Sequence, residues 1–157
     1  MRAGSLLLSL AALLPGCGPP AAPHENKTVD QLRAMLDSTE PRAQAQGALG
    51  LSLHGPAAAP AVPRLSELLG SPDELVRQQA AVALGKIGPD ASAAVPALVE
   101  RLKDPAWAVR RQCALALGEI GTNSAAARAG LRRLEGDSSS PVRKAAREAL
   151  AKLPKGS

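Results

Sequence analysis

The sequence predicts an all-α fold, a solenoid of about four helix pairs stacked along one axis. Three observations predict it. The first is internal repetition: the stretch Ser71-Pro-Asp-Glu-Leu-Val-Arg-Gln-Gln-Ala-Ala-Val-Ala-Leu-Gly-Lys-Ile-Gly88 returns as Asp104-Pro-Ala-Trp-Ala-Val-Arg-Arg-Gln-Cys-Ala-Leu-Ala-Leu-Gly-Glu-Ile-Gly121. Thirty-three residues separate Val76 from Val109, Leu84 from Leu117 and Gly88 from Gly121, and a fixed period of this length marks an array of small stacked units. The second is periodicity, since the apolar residues inside each unit recur at helical and not at alternating spacing. The third is composition: Phe and Tyr are absent and Trp107 is the single aromatic residue. Such a core must be made of small aliphatic contacts between closely approaching helices, whereas strands favour aromatic and β-branched residues.

At 157 residues the chain fits one domain. Its net charge of +5 is modest and not gathered into runs, which describes a solvated arginine-rich surface better than a nucleic-acid groove. Cys17 and Cys113 are the two cysteines, too few for a disulfide framework and lacking metal-ligand spacing, though one bridge between them stays open. His24 and His54 stand alone, away from any carboxylate or thiol cluster, and read as polar surface residues.

Residues 1–16 begin with Arg2 and continue into an apolar run, Leu6–Leu14. The run is too short to cross a ~30 Å hydrocarbon core and has the character of the apolar region of a signal peptide. The sequence that follows, Leu14-Pro-Gly-Cys17, resembles the lipobox of bacterial lipoproteins. Leu14, Gly16 and Cys17 match that pattern and Pro15 departs from it; the alternative is an ordinary signal peptide with an incidental cysteine. The resemblance implies that Cys17 becomes the acylated amino terminus of an exported, membrane-anchored protein. Two or more acyl chains give stable anchoring where one does not. Residues 17–27, rich in proline and alanine, would form a tether, and Gly18 after the cysteine implies the outer membrane in a cell with two.

The repeat domain is expected over residues 28–154, in units of about 28–60, 61–93, 94–124 and 125–154. In the first unit Thr28 caps a helix whose inward face is Val29, Leu32, Met35 and Leu36. Its second helix, about Pro41–Leu53, is the least regular, carries Gly47 and Gly50, and matches the later units at Ala48-Leu49-Gly50 only after a two-residue shift. In units two and three Pro63 and Pro96 occupy the first turn of a helix, where a missing N–H costs nothing. Leu65, Leu68 and Leu69, then Leu98, Val99 and Leu102, form the inward stripes. Breaks at Gly70-Ser-Pro72 and Lys103-Asp-Pro105 follow from proline. The second helices are expected to bury Val76, Ala80, Ala83, Leu84 and Ile87, then Val109, Cys113, Ala116, Leu117 and Ile120. Gly88 and Gly121 suit a left-handed position after the helix end. In unit four the second helix, Pro141–Leu153, is basic on its outer side (Arg143, Lys144, Arg147, Lys152), as a terminal unit must be if nothing stacks on it.

The pattern Asp-Pro-x-x-x-Val-Arg-x-x-Ala-x-x-Ala-Leu-Gly-x-Ile-Gly resembles the short HEAT-like repeats of the phycobilisome-lyase type, over about residues 28–153. Tetratricopeptide and ankyrin repeats have a similar period, but their aromatic anchors and Thr-Pro-Leu-His turn are absent. The resemblance implies a right-handed solenoid of antiparallel helix pairs with the second helices on the concave side. It also implies a structural ladder: Asp104 lies six residues before Arg110 and Asp137 six before Arg143, with the arginines bonding a neighbouring loop. At Arg77 the corresponding residue is Ser71, which can cap but not neutralise. Cys113 falls on the buried face, where a small hydrophobe is expected.

The remaining candidates lie on the outward side of the second helices. Gln78, Arg111 and Lys144 share one repeat position, and Gln79, Gln112 and Ala145 the next. Trp107 is four residues before Arg111, hence beside it on one helical face; it either packs on a neighbouring loop or forms, with the arginine, the centre of a protein-binding patch. The expected function is therefore a non-enzymatic scaffold, lipid-anchored outside the cytoplasm, that binds a protein partner and needs no cofactor, metal or small-molecule substrate. A bilin-lyase-like enzyme or accessory subunit is the alternative that the resemblance implies. Nucleic-acid binding is disfavoured by the export signal and by Glu100, Glu119 and Glu148 among the basic residues.

Overall fold

The computed structural model describes residues 24 and 26–154. The expectations for Cys17, for the apolar run before it and for most of the tether lie outside the described residues. The described chain is helical, with eight α-helices: α1 (Val29–Leu36), α2 (Pro41–His54), α3 (Val62–Leu68), α4 (Glu74–Ile87), α5 (Val95–Arg101), α6 (Trp107–Ile120), α7 (Ala125–Leu134) and α8 (Ser140–Lys152). They pair as α1/α2, α3/α4, α5/α6 and α7/α8, giving an α-solenoid of four helix pairs. Among the described residues there is no strand.

Local chemistry sets seven of the eight helix starts, all but that of α6. Thr28 and Gln31 form a reciprocal capping box: the Thr28 hydroxyl accepts from the Gln31 N–H, and the Gln31 side chain accepts from the Thr28 N–H. Asp73 caps α4 through the Val76 N–H, and Ser124 caps α7 through the Ala127 N–H. Helices α2, α3, α5 and α8 each carry proline in the first turn, where no intrahelical donor is lost.

Two 3-10 segments, Gly55–Ala61 and Gly88–Ala94, join α2 to α3 and α4 to α5. The sequence pattern marked Gly88 as a left-handed helix end, and the backbone differs: φ is 75° but ψ is −140°. Gly55 behaves alike, at 54° and −132°. The cause is the next residue. Pro56 and Pro89 exclude helical ψ from their predecessors, so the glycines take a region open to them alone. Gly121, followed by Thr122, does adopt the left-handed conformation (φ 69°, ψ 32°).

The core is a continuous band of leucine, valine and alanine. All ten apolar positions expected on α4 and α6, Cys113 included, are buried, and Leu32, Leu36, Leu65, Leu98 and Leu131 meet them from the first helices. The expected two-residue shift in unit one is not there. On the strict thirty-three-residue ruler Ala48 overlays Ala81 and Leu51 overlays Leu84, and all four are fully buried. Gly47 and Gly50, which weaken α2 by propensity, instead let α1 sit close. A Cβ on Gly47 would lie 2.9 Å from both the Leu32 carbonyl oxygen and the Met35 Cβ.

The second helices α2, α4, α6 and α8 pack on one another far more extensively than the short first helices do. Small residues make this possible, as a Cβ placed on Gly85 would lie 3.0 Å from the Ala116 Cα. The layer with the closer spacing is the one expected on the inside of a curved stack.

Candidate functional site

A ladder of polar groups holds the loops of successive units. Arg77 on α4 donates from Nε and Nη2 to the two carboxylate oxygens of Asp104, at 2.8 and 3.0 Å. Its Nη1 donates to the carbonyls of Ser71 and Pro72 in its own loop. Arg110 repeats the arrangement with Asp137 and with the carbonyls of Asp104 and Pro105. Arg143 donates to the carbonyls of Asp137 and Ser138. The ionic partner is thus the aspartate of the following unit, twenty-seven residues ahead. The aspartate six residues behind, marked by the sequence pattern, contributes its carbonyl alone. Arg77 is therefore neutralised after all, although Ser71 carries no charge.

Unit one carries an uncharged version of the same device. Gln44 sits at the Arg77 position and donates to the Ser38 carbonyl, six residues back like the arginine bonds. No arginine then reaches the next loop, and Ser71 stands there in place of an aspartate. The loop residue keeps a second task throughout: Ser38, Ser71, Asp104 and Asp137 each accept the backbone N–H two residues on. Bidentate pairing makes these arginines structural.

Arg110's hydrogen bonds hold the Asp137 carboxyl below the usual carboxylate range, against the opposing effect of burial, and the Ser139 N–H adds to the lowering. A depressed folded-state pKa contributes stability that is present above the unfolded value, about 3.9, and is lost as pH falls through the folded value. The melting temperature is therefore expected to drop steeply below about pH 4, and Asp137→Asn should flatten that drop. Thermal melts at steps from pH 7 to pH 2 check it, and equal acid slopes for parent and variant would count against it.

Cys113 is a free, fully buried thiol. Burial pushes its pKa well up, so the thiolate that nucleophilic chemistry requires is suppressed. Among the described residues no group of three or more His, Cys, Asp or Glu side chains could hold a metal ion.

The outward side of the second helices carries three furrows. Between α2 and α4 the lining includes Arg42, Gln46, Leu49, Leu75 and Gln79. Between α4 and α6 it includes Val82, Lys86, Gln112, Leu115 and Glu119. Between α6 and α8 lies a furrow of about 480 Å³ containing Arg111, Leu115, Lys144 and Glu148. Of the expected binding residues, Arg111 and Lys144 meet here, while Gln78 is half-buried on α4. Ala145 lines the same furrow but is buried, because a methyl group does not reach past the longer side chains around it. Trp107, at the start of α6, is 51% exposed and lines none of these furrows. Leu75 at the start of α4 is also exposed.

Sequence reasoning missed Gln46 and Leu49. They stand at the repeat positions of Gln79 with Gln112, and of Val82 with Leu115. The mistaken shift in unit one removed them from those columns, although the ruler set by Gly55-Pro56 and Gly88-Pro89 would have found them.

The family model for HEAT repeats matches residues 29–95 and, overlapping, residues 62–151. The chain belongs to the HEAT repeat family. Among solved structures, this HEAT chain is similar to two engineered proteins at 26% identity. One has a TM-score of 0.71, covering 82% of this chain and 64% of that one; the other has 0.63, covering 79% and 61%. The chain thus spans less than two thirds of these proteins. A designed armadillo repeat protein in complex with the peptide (KR)4 shares the fold at 19% identity and TM-score 0.69, covering 80% of this chain and 64% of that one. Human deoxyhypusine hydroxylase is similar at 30% identity and TM-score 0.63, over 88% of this chain and 49% of its own. A comparison with curated proteins finds no match.

Proposed function

We propose that this HEAT protein is a non-enzymatic scaffold that binds a protein partner on the face of its second helices. One observation carries the reading: furrows at corresponding places between α2, α4, α6 and α8, with Leu75 exposed in the first of them and Trp107 exposed at the start of α6. A face that only packed the fold would not leave the chain's one large aromatic in solvent. Exposed tryptophan near arginine has the composition of an interface anchor. The designed armadillo structure with its bound peptide is an instance of a related stack holding a polypeptide.

A photo-crosslinker at position 111 should capture the partner, and one at position 132 on α7 should not. Trp107→Ala is then expected to weaken binding by ~2 kcal/mol or more while the melting temperature hardly moves. Equal binding, or a large fall in melting temperature, would mean that the indole serves packing.

The enzymatic alternative has one observation in its favour, the similarity to deoxyhypusine hydroxylase over most of the chain. Against a thiol-based reaction stands Cys113, buried and with its pKa raised by burial.

The proposed location is the cell envelope, outside the cytoplasm, with Cys17 acylated behind the Leu14-Pro-Gly sequence. No helix among the described residues is long and apolar enough to cross a membrane, so in this reading attachment rests on the lipid. Cys17→Ala should leave an unprocessed precursor or a released form; retention in the membrane fraction as in the parent would remove the anchor from the proposal.

A further inference from the structure

We propose that the face of the second helices holds an extended, acidic peptide segment whose backbone is hydrogen-bonded by the column Gln46, Gln79 and Gln112. The inference rests on the protein-binding reading above and names the partner's chemistry.

Three consecutive second helices present glutamine at one repeat position, and each of these side chains lines a furrow. The neighbouring outward position varies freely, from Ala45 through Gln78 and Arg111 to Lys144. A primary amide both donates and accepts, so a column of amides matches the repeating N–H and C=O of a peptide backbone and carries no preference for side chain. Within the column, the Gln79 Oε1 is closed off from solvent and accepts no hydrogen bond. A buried acceptor left unpaired is costly, and turning this amide toward the furrow would let it meet a peptide N–H.

Beside the amides runs an aliphatic column, Leu49, Val82 and Leu115, each three residues further along its helix. It offers shallow apolar seats at the same interval. Packed helices lie ~8–10 Å apart, and a polyproline II chain turns the same face every three residues, about 9 Å. One rung per three peptide residues is thus the natural register, and that conformation leaves its backbone groups free.

Charge decides the side chains. Each furrow has one cation that forms no ion pair among the described residues: Arg42 between α2 and α4, Lys86 between α4 and α6, and Arg111 between α6 and α8. The acidic groups in the furrows are engaged already, Glu119 with Lys152 and Glu148 with Lys144. With Lys152 of α8 counted as the partner that neutralises Glu119, the surplus is positive at every furrow, which favours carboxylates spaced along the segment.

The test is fluorescence anisotropy with the labelled peptide (Glu-Ala-Pro)4, against (Lys-Ala-Pro)4 as control and a single-stranded oligonucleotide as competitor. The acidic peptide should bind and the basic one should not. The triple variant Gln46→Ala, Gln79→Ala, Gln112→Ala should bind at least about 10-fold more weakly, as expected for several lost hydrogen bonds. Alanine already occupies this position at Ala145, and a melting curve verifies that the variant folds. Undiminished binding by the triple variant would overturn the amide column. Equal binding of the basic peptide, or displacement by the oligonucleotide at lower concentration than by unlabelled peptide, would overturn the acidic segment. If neither peptide binds but position 111 still crosslinks a partner, this inference fails and the scaffold reading stands; if both fail, both fall.

Discussion

Asp104→Ala is expected to cost about 3–5 kcal/mol of folding stability, the range seen when one partner of a buried ion pair is removed. The pair is well buried, with side-chain exposures of 10% for Arg77 and 1% for Asp104. Truncation would leave the guanidinium without its bidentate acceptor and would also orphan the Ala106 N–H that Asp104 accepts. A domain of this kind is held by ~5–15 kcal/mol in total, so the fall in melting temperature should be on the order of 10 °C or more. The pair itself is another matter. Replacing both members, Arg77→Met with Asp104→Leu, should recover much of the loss, because a well-packed apolar pair avoids the desolvation penalty. Urea denaturation of the two single variants and the double one separates these effects. A single-variant loss below about 1 kcal/mol, the value of an exposed pair, would show that water reaches the site in solution. The Arg110–Asp137 pair is somewhat more exposed, and its truncation should cost less.

Gly118→Ala is expected to destabilise, and Gly118→Leu to do so more strongly, with overpacking costs of ~1–3 kcal/mol. Helix propensity alone argues the reverse, since alanine is better than glycine in a helix by about 1 kcal/mol. The contact decides: an added Cβ would lie 2.8 Å from the Ala149 Cα and 3.1 Å from its Cβ. The first of these is backbone and cannot swing aside, so α8 would have to move off α6. At Gly85 the closest approach is 3.0 Å, to the Ala116 Cα, and the same substitution there should cost less. Thermal melts of Gly85→Ala and Gly118→Ala test the ordering. An increase in melting temperature for Gly118→Ala would mean that α6 and α8 stand further apart than described.

Much of this was legible in the sequence because a repeat writes its core several times. Leu84 and Leu117, or Val76 and Val109, confirm each other as buried, and Pro63 and Pro96 mark the same helix start. What failed was whatever depends on a neighbour in space. Gly88 was assigned from its place after a helix, but Pro89 decided its ψ. Spacing alone pairs Arg77 with Ser71, six residues back, whereas the bond to a neighbouring loop that the family resemblance implies is the one formed, to Asp104. Gln46 and Leu49 were hidden by a local likeness, Ala48-Leu49-Gly50, that competed with the ruler. The outward columns are the weakest signal, since surface positions need not repeat. Trp107 could be placed on a helix face from its spacing, but its exposure depends on which loops stand opposite.

The ladder has a consequence for how such a chain can change length. Beyond their own loops, Arg77 and Arg110 reach only the loop of the unit immediately after, and each loop offers the same acceptor for its own turn. An in-frame duplication of residues 72–104 would bring one outgoing guanidinium and one incoming carboxylate, together with the glycine that the next seam requires. The ladder pair would then recur at the new junction, and Gly85 would meet Ala83 of the added copy at the repeat position where it now meets Ala116. Unequal recombination could thus lengthen the array in a single event and extend the row of furrows by one. Copy number, rather than point substitution, becomes the variable by which this architecture is matched to a longer or shorter ligand.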